Sequence, residues 1–318
     1  MKTEPKVLIV ILNWNQYEST REILSSLQEI DYQNVHIVLI DNGSTDDSLM
    51  RIKTEFPDLQ TVAKAENLGV AGGRNAGIAF ARKRDYDYLL FLDNDVRVAP
   101  DFLTELIRVM TFHSNAGGAQ PLILHLQEPN RLFSAGGQFF PLICHHRSRR
   151  KEKTRDLLND NRPIEIDWMS GGGQLIRSEV FSSVRGFDED YYPYGCEDAQ
   201  MGLDMKKAGY RILLAPGSRI WHPQKAGKSW MAFKTRNMAQ SLVIFLRKNS
   251  SWANFPLALG WHLLNYVLRY FLKYLLTAQF AQLRALFGGI MSGWTKSISK
   301  KVPGVSLRDH DGSIEYSR

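Results

Sequence analysis

The sequence predicts an α/β fold: a mostly parallel sheet covered by helices, followed by a C-terminal helical extension. Three observations carry this. Short, largely apolar runs at Val7–Leu12, Val35–Ile40 and Leu89–Leu92 have the composition of strands buried on both faces, as in parallel sheets. Helical spacing separates the runs. Each run ends in Asn or Asp, at the strand end where open α/β sheets bind ligands.

The first run closes in Asn13-Trp14-Asn15, and Glu18–Ile30 follows with Ile23, Leu24, Leu27 and Ile30 on one helical face. The second run delivers Asp41 and a polar turn in which Thr45 or Asp46 can cap the next helix. A short strand over Thr61–Ala63 leads to the glycine-rich stretch Asn67–Gly77, which feeds a helix ending near Arg84. The third run delivers Asp93-Asn94-Asp95, and a helix over Asp101–Phe112 comes next.

Asp93 and Asp95 stand two apart where the chain leaves the sheet, a spacing that lets both carboxylates share one cation. Mg²⁺ or Mn²⁺ prefers near-octahedral oxygen ligands, so two carboxylates leave positions for water and substrate phosphates. The alternative is a solvated turn, which Asp-Asn pairs commonly form. In the glycine-rich stretch, Gly69, Gly72 and Gly73 let backbone pass close to a ligand, and the following helix N-terminus offers free N–H groups. Arg74 adds a charge that cannot be lost at neutral pH. The spacing is neither a P-loop nor G-x-G-x-x-G. It suits a nucleotide or phosphate, unless the glycines serve only tight helix–sheet packing.

Beyond Phe112 the pattern is irregular. His145–Arg155 carries six Lys/Arg, the mark of a solvated loop, with a flap over an anionic acceptor or lipid surface as the alternative. Asp167–Arg177 reads as a strand broken by Gly171, Gly172 and Gly173, which implies close approach of something bulky. The aromatic loop Tyr191–Tyr194 suits a sugar ring or core packing. Glu197-Asp198 opens a helix to about Ala208, where Asp198 is either a dipole-favoured first-turn carboxylate or a rigidly held general base. Arg211–Ala215 is a strand leading to Ile220-Trp221-His222-Pro223, and His222 is a structural histidine or a metal ligand.

The net charge of +7 favours anionic ligands or an anionic membrane surface. Zinc-finger spacing, an RNA-binding aromatic signature and a long basic helix are absent from the sequence, so no nucleic-acid partner is expected. Cys144 and Cys196 read as free thiols in a reducing compartment. The polar start, Met1–Lys6, has no signal-peptide pattern, so the expected location is the cytoplasm, or the inner face of the plasma membrane.

From Trp230 the composition shifts to Leu, Phe, Trp and Tyr, with helices expected over 231–247, 255–276 and 278–292. In the middle one, His262, Asn265, Arg269 and Lys273 form one polar stripe on an otherwise apolar helix. At about 1.5 Å per residue it is about 33 Å long, near the thickness of a bilayer core. Two cations within it argue against a span. An interfacial segment over 250–295 fits, as does a subdomain packed on the sheet or on a second copy of the chain in a homodimer. The tail from Lys300 is polar. The expected division is an α/β domain over 1–230, in halves of about 1–112 and about 113–230, then a helical region and tail over 231–318.

With these residues laid out, the chain resembles a family 2 glycosyltransferase with the GT-A fold over roughly residues 5–240. The resemblance rests on an ordered set: V-L-I-V-I-L-N-W-N, L-I-D-N-G-S-T-D, N-L-G-V-A-G-G-R-N-A-G, L-D-N-D, S-G-G-G-Q-L-I-R, G-F-D-E, E-D and W-H-P. Within the family it is similar to bacterial rhamnosyltransferases of surface polysaccharide assembly. The resemblance implies a nucleotide-sugar donor, dTDP- or UDP-linked with rhamnose among the candidates, a saccharide or lipid-linked acceptor, and inversion at the sugar. It implies that Asp93 and Asp95 bind Mg²⁺ or Mn²⁺ with His222 in reach, and that Asp198 is the catalytic base. Asp41 matches the residue that contacts the base or ribose; Asn13, Asn67, Gly69, Arg74 and Asp93 fall on donor-binding positions. One departure is on the acceptor side: where the family often continues E-D with Asp and Arg, this chain has Gln200 and Asp204 or Lys206.

Two other readings are weaker. A sugar-phosphate nucleotidylyltransferase needs a glycine-rich basic loop after the first strand, where Asn13-Trp14-Asn15-Gln16 stands. A non-enzymatic membrane or partner-binding protein would leave the candidate metal, nucleotide and base residues unused.

Overall fold

The structure, a computed structural model, describes residues 4–149, 154–224 and 227–299. The tail from Lys300 and part of the basic run, residues 150–153, lie outside the described residues.

Strands β1 (Val7–Asn13), β2 (Val35–Asp41), β3 (Gln60–Ala63) and β4 (Tyr88–Leu92) pair in parallel in the spatial order β3-β2-β1-β4. Helices α1 (Tyr17–Leu27), α2 (Ser48–Glu55) and α3 (Gly69–Arg82) make the crossovers. Successive side chains of β1 point to opposite faces and so divide between two cores. Val7, Ile9 and Ile11 pack with Ile23, Leu24 and Leu27 of α1, while Leu8 and Val10 pack with Ala76 and Ile78 of α3. That is why this run is apolar without alternation. Of the two residues expected to cap α2, one bonds to its start, although the N-cap position itself is Asp47. Thr45 makes no cap, and Asp46 Oδ1 accepts from the Ser48 N–H at 3.1 Å.

The glycine-rich stretch is mostly helix rather than loop, since α3 begins at Gly69. A Cβ at Gly73 would lie 2.5 Å from Leu12 Cδ2, and one at Gly77 would lie 2.4 Å from Val10 Cγ1. These two glycines therefore bring the helix onto β1. Gly69 differs from them: its φ is +72°, and a Cβ there would meet the Pro193 carbonyl at 2.8 Å.

After β4 come β5 (Arg97–Val98), α4 (Phe102–Phe112) and β6 (Ala116–His125). The irregular pattern conceals β6 because it contains Gly117, Gly118 and Pro121, all poor strand formers. Burial on both faces overrides those propensities, since β6 lies inside the sheet. The next elements are β7 (Leu132–Ser134), β8 (Gly137–Phe140), β9 (His145–Ser148), α5 (Thr154–Asn159), β10 (Ile164–Ile166), β11 (Gly173–Arg177), α6 (Val180–Ser183), α7 (Glu197–Lys207) and β12 (Arg211–His222). The front of the basic run is thus not a loop: β9 pairs with β8, leaving His145 and His146 half-buried.

The sheet order is β10-β12-β6-β11-β4-β1-β2-β3. Strand β11 is antiparallel to β4 and β6, and β12 is parallel to β6, so pairing beyond β4 is mixed. This geometry gathers the C-terminal ends of β1, β2, β4 and β12 and the N-terminal end of β11 along one edge. Strand β12 runs on past Ala215 through a bulge: Ala215 pairs with Pro121, and the next pair is Arg219 with Leu122. Its last residues also pair with β5, Trp221 opposite Arg97 and Ile220 opposite Val98.

The C-terminal helices are α8 (Lys228–Asn249), α9 (Phe255–His262), a π-helical turn (Leu263–Leu268), α10 (Arg269–Leu276) and α11 (Phe280–Thr295). They share a core with the preceding part of the chain, where Tyr191, Cys196, Ala199 and Leu203 pack with Ile244, Phe245, Leu246 and Ala258. The polar stripe does not form. The π turn changes the helical phase; His262 is buried with Nε2 3.1 Å from the Cys144 carbonyl, whereas Asn265, Arg269 and Lys273 face out. Leu264, Leu268, Leu272, Phe287 and Met291 are exposed as well, leaving an apolar outer surface. Among the described residues, no helix is long and apolar enough to cross a membrane.

Candidate active site

At the shared edge, ligand atoms of Asp93, Asp95 and His222 all lie within 4.8 Å of one another. His222 Nε2 is 3.4 Å from Asp95 Oδ1 and 3.7 Å from Asp93 Oδ2. The β5–β12 pairing produces this, because it carries the end of β12 back over the turn that follows β4. The other ring nitrogen, Nδ1, donates to the Pro223 carbonyl at 2.6 Å, and Phe133 stacks on the ring with centroids 4.4 Å apart. Both contacts fix the ring so that Nε2 faces the carboxylates. Burial lowers the pKa of His222, but Asp93 and Asp95 outweigh it and leave the group above its ordinary value.

The donor set fits a hard divalent ion. Octahedral ligands at about 2.1 Å from Mg²⁺ or Mn²⁺ stand about 3 Å apart as neighbours and about 4 Å apart across the ion. The observed separations need only a small contraction to meet that. Two carboxylates and one imidazole leave room for phosphate oxygens and water.

Arg74 lies directly behind this cluster, buried at 3% exposure. Its Nη1 donates to Asp198 Oδ1 at 2.5 Å, and Nη2 donates to the Gly171 carbonyl at 3.0 Å and to Asp93 Oδ1 at 3.4 Å. One guanidinium therefore holds the first carboxylate of the candidate metal cluster and the candidate base together. Gln174 of β11 holds the base from the other side, donating Nε2 to Asp198 Oδ1 at 2.9 Å. The consecutive glycines now have a reason. A Cβ at Gly171 would sit 2.7 Å from Arg74 Nη2 and 2.9 Å from Asp198 Oδ2, and one at Gly173 would sit 2.9 Å from Pro121 Cγ. The bulky thing that approaches Gly171 is the ion pair itself.

Burial raises the pKa of Asp198, and Asp93 adds to this; Arg74 and Gln174 pull it down without cancelling the rise. A carboxylate more basic than usual is a better proton acceptor near neutral pH. Its neighbour Glu197 is raised as well, by burial first and then by the charge of Asp198. The Gly195 N–H donates to Glu197 Oε2 at 2.5 Å.

Asn13 and Asp41 sit one step away, both buried. Asn13 Nδ2 donates to Asp41 Oδ1 at 2.8 Å and to Ser48 Oγ at 3.0 Å, and Asp41 Oδ1 accepts from Ser44 Oγ at 2.6 Å. A chain of hydrogen bonds joins them to the Asp93-Asn94-Asp95 turn: Asn94 Nδ2 donates to Thr20 Oγ1 at 2.9 Å, and Thr20 Oγ1 donates to Asn13 Oδ1 at 2.9 Å. Asn67 and Gly69 are tied in through Asn42. Its Nδ2 reaches Asn67 Oδ1 at 3.1 Å and the Gly69 carbonyl at 3.0 Å, while Asn67 Oδ1 accepts from the Gly69 N–H at 2.8 Å.

The candidate residues thus fall into one tight group, Arg74, Asp93, Asp95, Asp198 and His222, and a flanking network through Asn13, Asp41, Asn67 and Gly69. Gln174, Thr20, Asn42 and Phe133 also belong to the site; Thr20 lies in α1 and Phe133 in β7, and nothing in their local sequence marks them. Gln174, a polar residue just before the apolar pair Leu175-Ile176 in S-G-G-G-Q-L-I-R, is the one that its position betrays.

The comparisons bear on the family and the fold. The family model described as "Glycosyl transferase family 2" matches residues 8–185, more than half of the chain. The chain is similar to "N-acetylglucosaminyl-diphospho-decaprenol L-rhamnosyltransferase" of Mycobacterium tuberculosis, 24% identical over 78% of this chain and 87% of that protein. It is also similar to "Rhamnosyltransferase WbbL" of Escherichia coli strain K12, 27% identical over 68% of this chain and 83% of that protein. Among solved structures, GalNAc-T7 with UDP, GalNAc and Mn²⁺ superposes with a TM-score of 0.62 at 17% identity. That match covers 77% of this chain and 48% of GalNAc-T7, so the chain spans about half of that protein's length. The mannosyltransferase PcManGT from Pyrobaculum calidifontis, in complex with GDP-Man and Mn²⁺, superposes with a TM-score of 0.54 at 18% identity over 93% of this chain and 77% of that one. These likenesses establish the GT-A fold, and with the family match over residues 8–185 the chain belongs to glycosyl transferase family 2.

Proposed function

We propose that this glycosyltransferase is divalent-ion dependent and inverting, and moves a sugar from a dTDP- or UDP-linked donor to a hydroxyl of a saccharide or lipid-linked saccharide. The observation that carries the reading is the guanidinium of Arg74, bonded at once to Asp93 of the ligand cluster and to Asp198.

In this reading Asp93, Asp95 and His222 hold Mg²⁺ or Mn²⁺. The ion supplies Lewis-acid stabilisation of the departing nucleoside diphosphate. The chain's own residues do the rest. Asn13, Asp41, Asn67 and Gly69 shape the donor side, where Asp41 takes the nucleoside. Arg74 keeps Asp198 ionised and aimed. The acceptor oxygen forms a bond to the anomeric carbon as the carbon–phosphate-oxygen bond breaks. The hydroxyl proton passes to the Asp198 carboxylate, and the bonding pair leaves with the diphosphate. One displacement from the opposite face inverts the anomeric centre.

Calorimetric titration tests this. Binding of UDP or dTDP is expected in the presence of Mn²⁺, to be lost without it, and to be lost in Asp95→Asn. Nucleoside diphosphate binding that ignores both the ion and Asp95 would sink the metal reading, and absence of binding altogether would favour a non-enzymatic role.

The mycobacterial relative's name specifies a lipid-diphosphate acceptor. That supports a lipid-linked acceptor here and peripheral contact with the inner face of the plasma membrane through 250–295. The exposed leucines Leu264 and Leu268, at 64% and 45% exposure beside Arg269 and Lys273, supply the apolar and cationic elements such contact needs. The protein is expected to sediment with phosphatidylglycerol vesicles. Salt should weaken that binding, as should the double substitution Leu264→Glu, Leu268→Glu. Indifference to vesicles, with concentration-dependent dimers disrupted by the same substitutions, would assign the surface to a second copy of the chain.

A further inference from the structure

The segment 186–198, which leads into Asp198, is gripped by three helices. From α3, Asn75 exchanges hydrogen bonds with the Phe187 backbone, Nδ2 to the carbonyl and N–H to Oδ1, at 2.8 Å each, and its amide also reaches Glu189 Oε1 at 2.7 Å. From α7, Gln200 Oε1 accepts from the hydroxyl of the fully buried Tyr191 at 2.9 Å. From α8, Gln240 Nε2 donates to the Tyr192 carbonyl at 3.0 Å and Ser241 Oγ to the Tyr194 carbonyl at 3.2 Å.

The most demanding tie from α8 is electrostatic. The Lys248 ammonium lies 2.6 Å from Asp188 Oδ2 and 2.5 Å from Asp190 Oδ2, with only 7% of its side chain exposed. The two carboxylates are nearly as buried, at 11% and 15%. Asp188 Oδ1 also accepts from the Asp190 N–H at 3.1 Å, so the same pair shapes the turn over Glu189–Tyr191. Two buried carboxylates this close repel each other; the shared ammonium offsets the repulsion, and Ser299 adds its N–H and Oγ to Asp190 Oδ2 at 2.9 and 2.8 Å. Removing one partner of a buried ion pair leaves uncompensated charge that the chain relieves by moving.

We propose that Lys248 is a positioning residue for sugar transfer: it clamps Asp188 and Asp190, and so sets the path of the segment that presents Asp198. The C-terminal helix α8 is thereby part of the acceptor side of the site and not an appendage to it. This rests on the reading of Asp198 as the base.

The test uses the full chain carrying Lys248→Met or Lys248→Arg. In Lys248→Met, amides of residues 187–198 are expected to exchange about tenfold faster or more, because the local grip is lost, while amides of β1 and β4 keep their protection. The affinity for dTDP or UDP with Mn²⁺ should stay as in the parent, since Lys248 touches none of the metal or donor residues. Release of dTDP from dTDP-rhamnose, or of UDP from UDP-sugars, should lose about tenfold or more in kcat through misplacement of the base. Lys248→Arg should restore both exchange and kcat. Unchanged exchange at 187–198 in Lys248→Met overturns the clamp, and so does a loss of protection spread evenly over the sheet. If Lys248→Met does not fold, Asp190→Asn, which keeps one ion pair, must show the same local exchange and the same intact diphosphate affinity. A parent protein that binds neither diphosphate with Mn²⁺ refutes the transferase reading, while the exchange result still decides the clamp.

Discussion

Replacing Asp198 by asparagine is expected to cut sugar transfer by at least about 100-fold while leaving metal-dependent nucleoside diphosphate binding intact; loss of a general base typically costs 10²–10⁴-fold. The substitution is nearly isosteric. The asparagine carbonyl oxygen can still accept from Arg74 Nη1 and Gln174 Nε2, the two donors that now meet Asp198 Oδ1. What disappears is the proton-accepting capacity of Oδ2, the oxygen that neither of these donors touches. The proposed diphosphate side of the site, with Asp93, Asp95 and His222, is unaltered, so binding and chemistry should separate cleanly. Transfer by Asp198→Asn at the parent rate would show that another group takes the acceptor proton. Glu197 would be the first to examine, since its pKa is also raised.

The second large effect is expected from Arg74→Met. The methionine fills much of the same volume, but Asp198 and Asp93 lose the cation between them. Breaking a buried pair by removing one partner costs about 3–5 kcal/mol, because the remaining charge is stranded. For a chain of this size that corresponds to a fall of about 4–8 °C in melting temperature, read by calorimetry. Activity should fall as well. Without the guanidinium, burial and the charge of Asp93 are opposed on Asp198 by Gln174 and no longer by a cation, which pushes it further toward its protonated form, in which it cannot accept a proton. The sign gives a pH signature: stability lost through stranded carboxylates should be partly regained as pH falls and they protonate. Arg74→Lys keeps the charge without the planar fork, so it should recover much of the stability and little of the rate. An Arg74→Met protein as stable as the parent, with no pH dependence to the difference, would remove Arg74 from the centre of the site.

How far the sequence discloses all this depends on the reach of each signal. Strand β1 is legible because its residues are apolar on both faces, and the helix after β1 because its apolar residues repeat at helical spacing; these patterns are local and set by burial. Strand β6 is not legible, because two glycines and a proline give it the composition of a loop, and only its place between β11 and β12 makes it a strand. The polar stripe on the penultimate helical stretch fails for a related reason. Counting residues assumes an even phase, and the π turn at Leu263–Leu268 breaks it. The aspartates of the D-x-D turn, Asp198 and His222 can each be nominated from their motifs. Nothing in those motifs reveals that Arg74 joins two of them.

By itself, then, the sequence determined the α/β architecture, the strand ends that carry polar residues and the chemical types available there, because apolar periodicity and strand-terminal Asn and Asp are properties of a few consecutive residues. Tertiary structure alone decided which of those residues meet. Strand β5 pairs with the end of β12 and so brings His222 to Asp93 and Asp95 from more than a hundred residues away, and the bare backbone at Gly171 admits an arginine and an aspartate that lie 124 positions apart. Such contacts arise from long-range sheet pairing and from the exclusion of a single Cβ, and neither leaves a periodic trace in the chain.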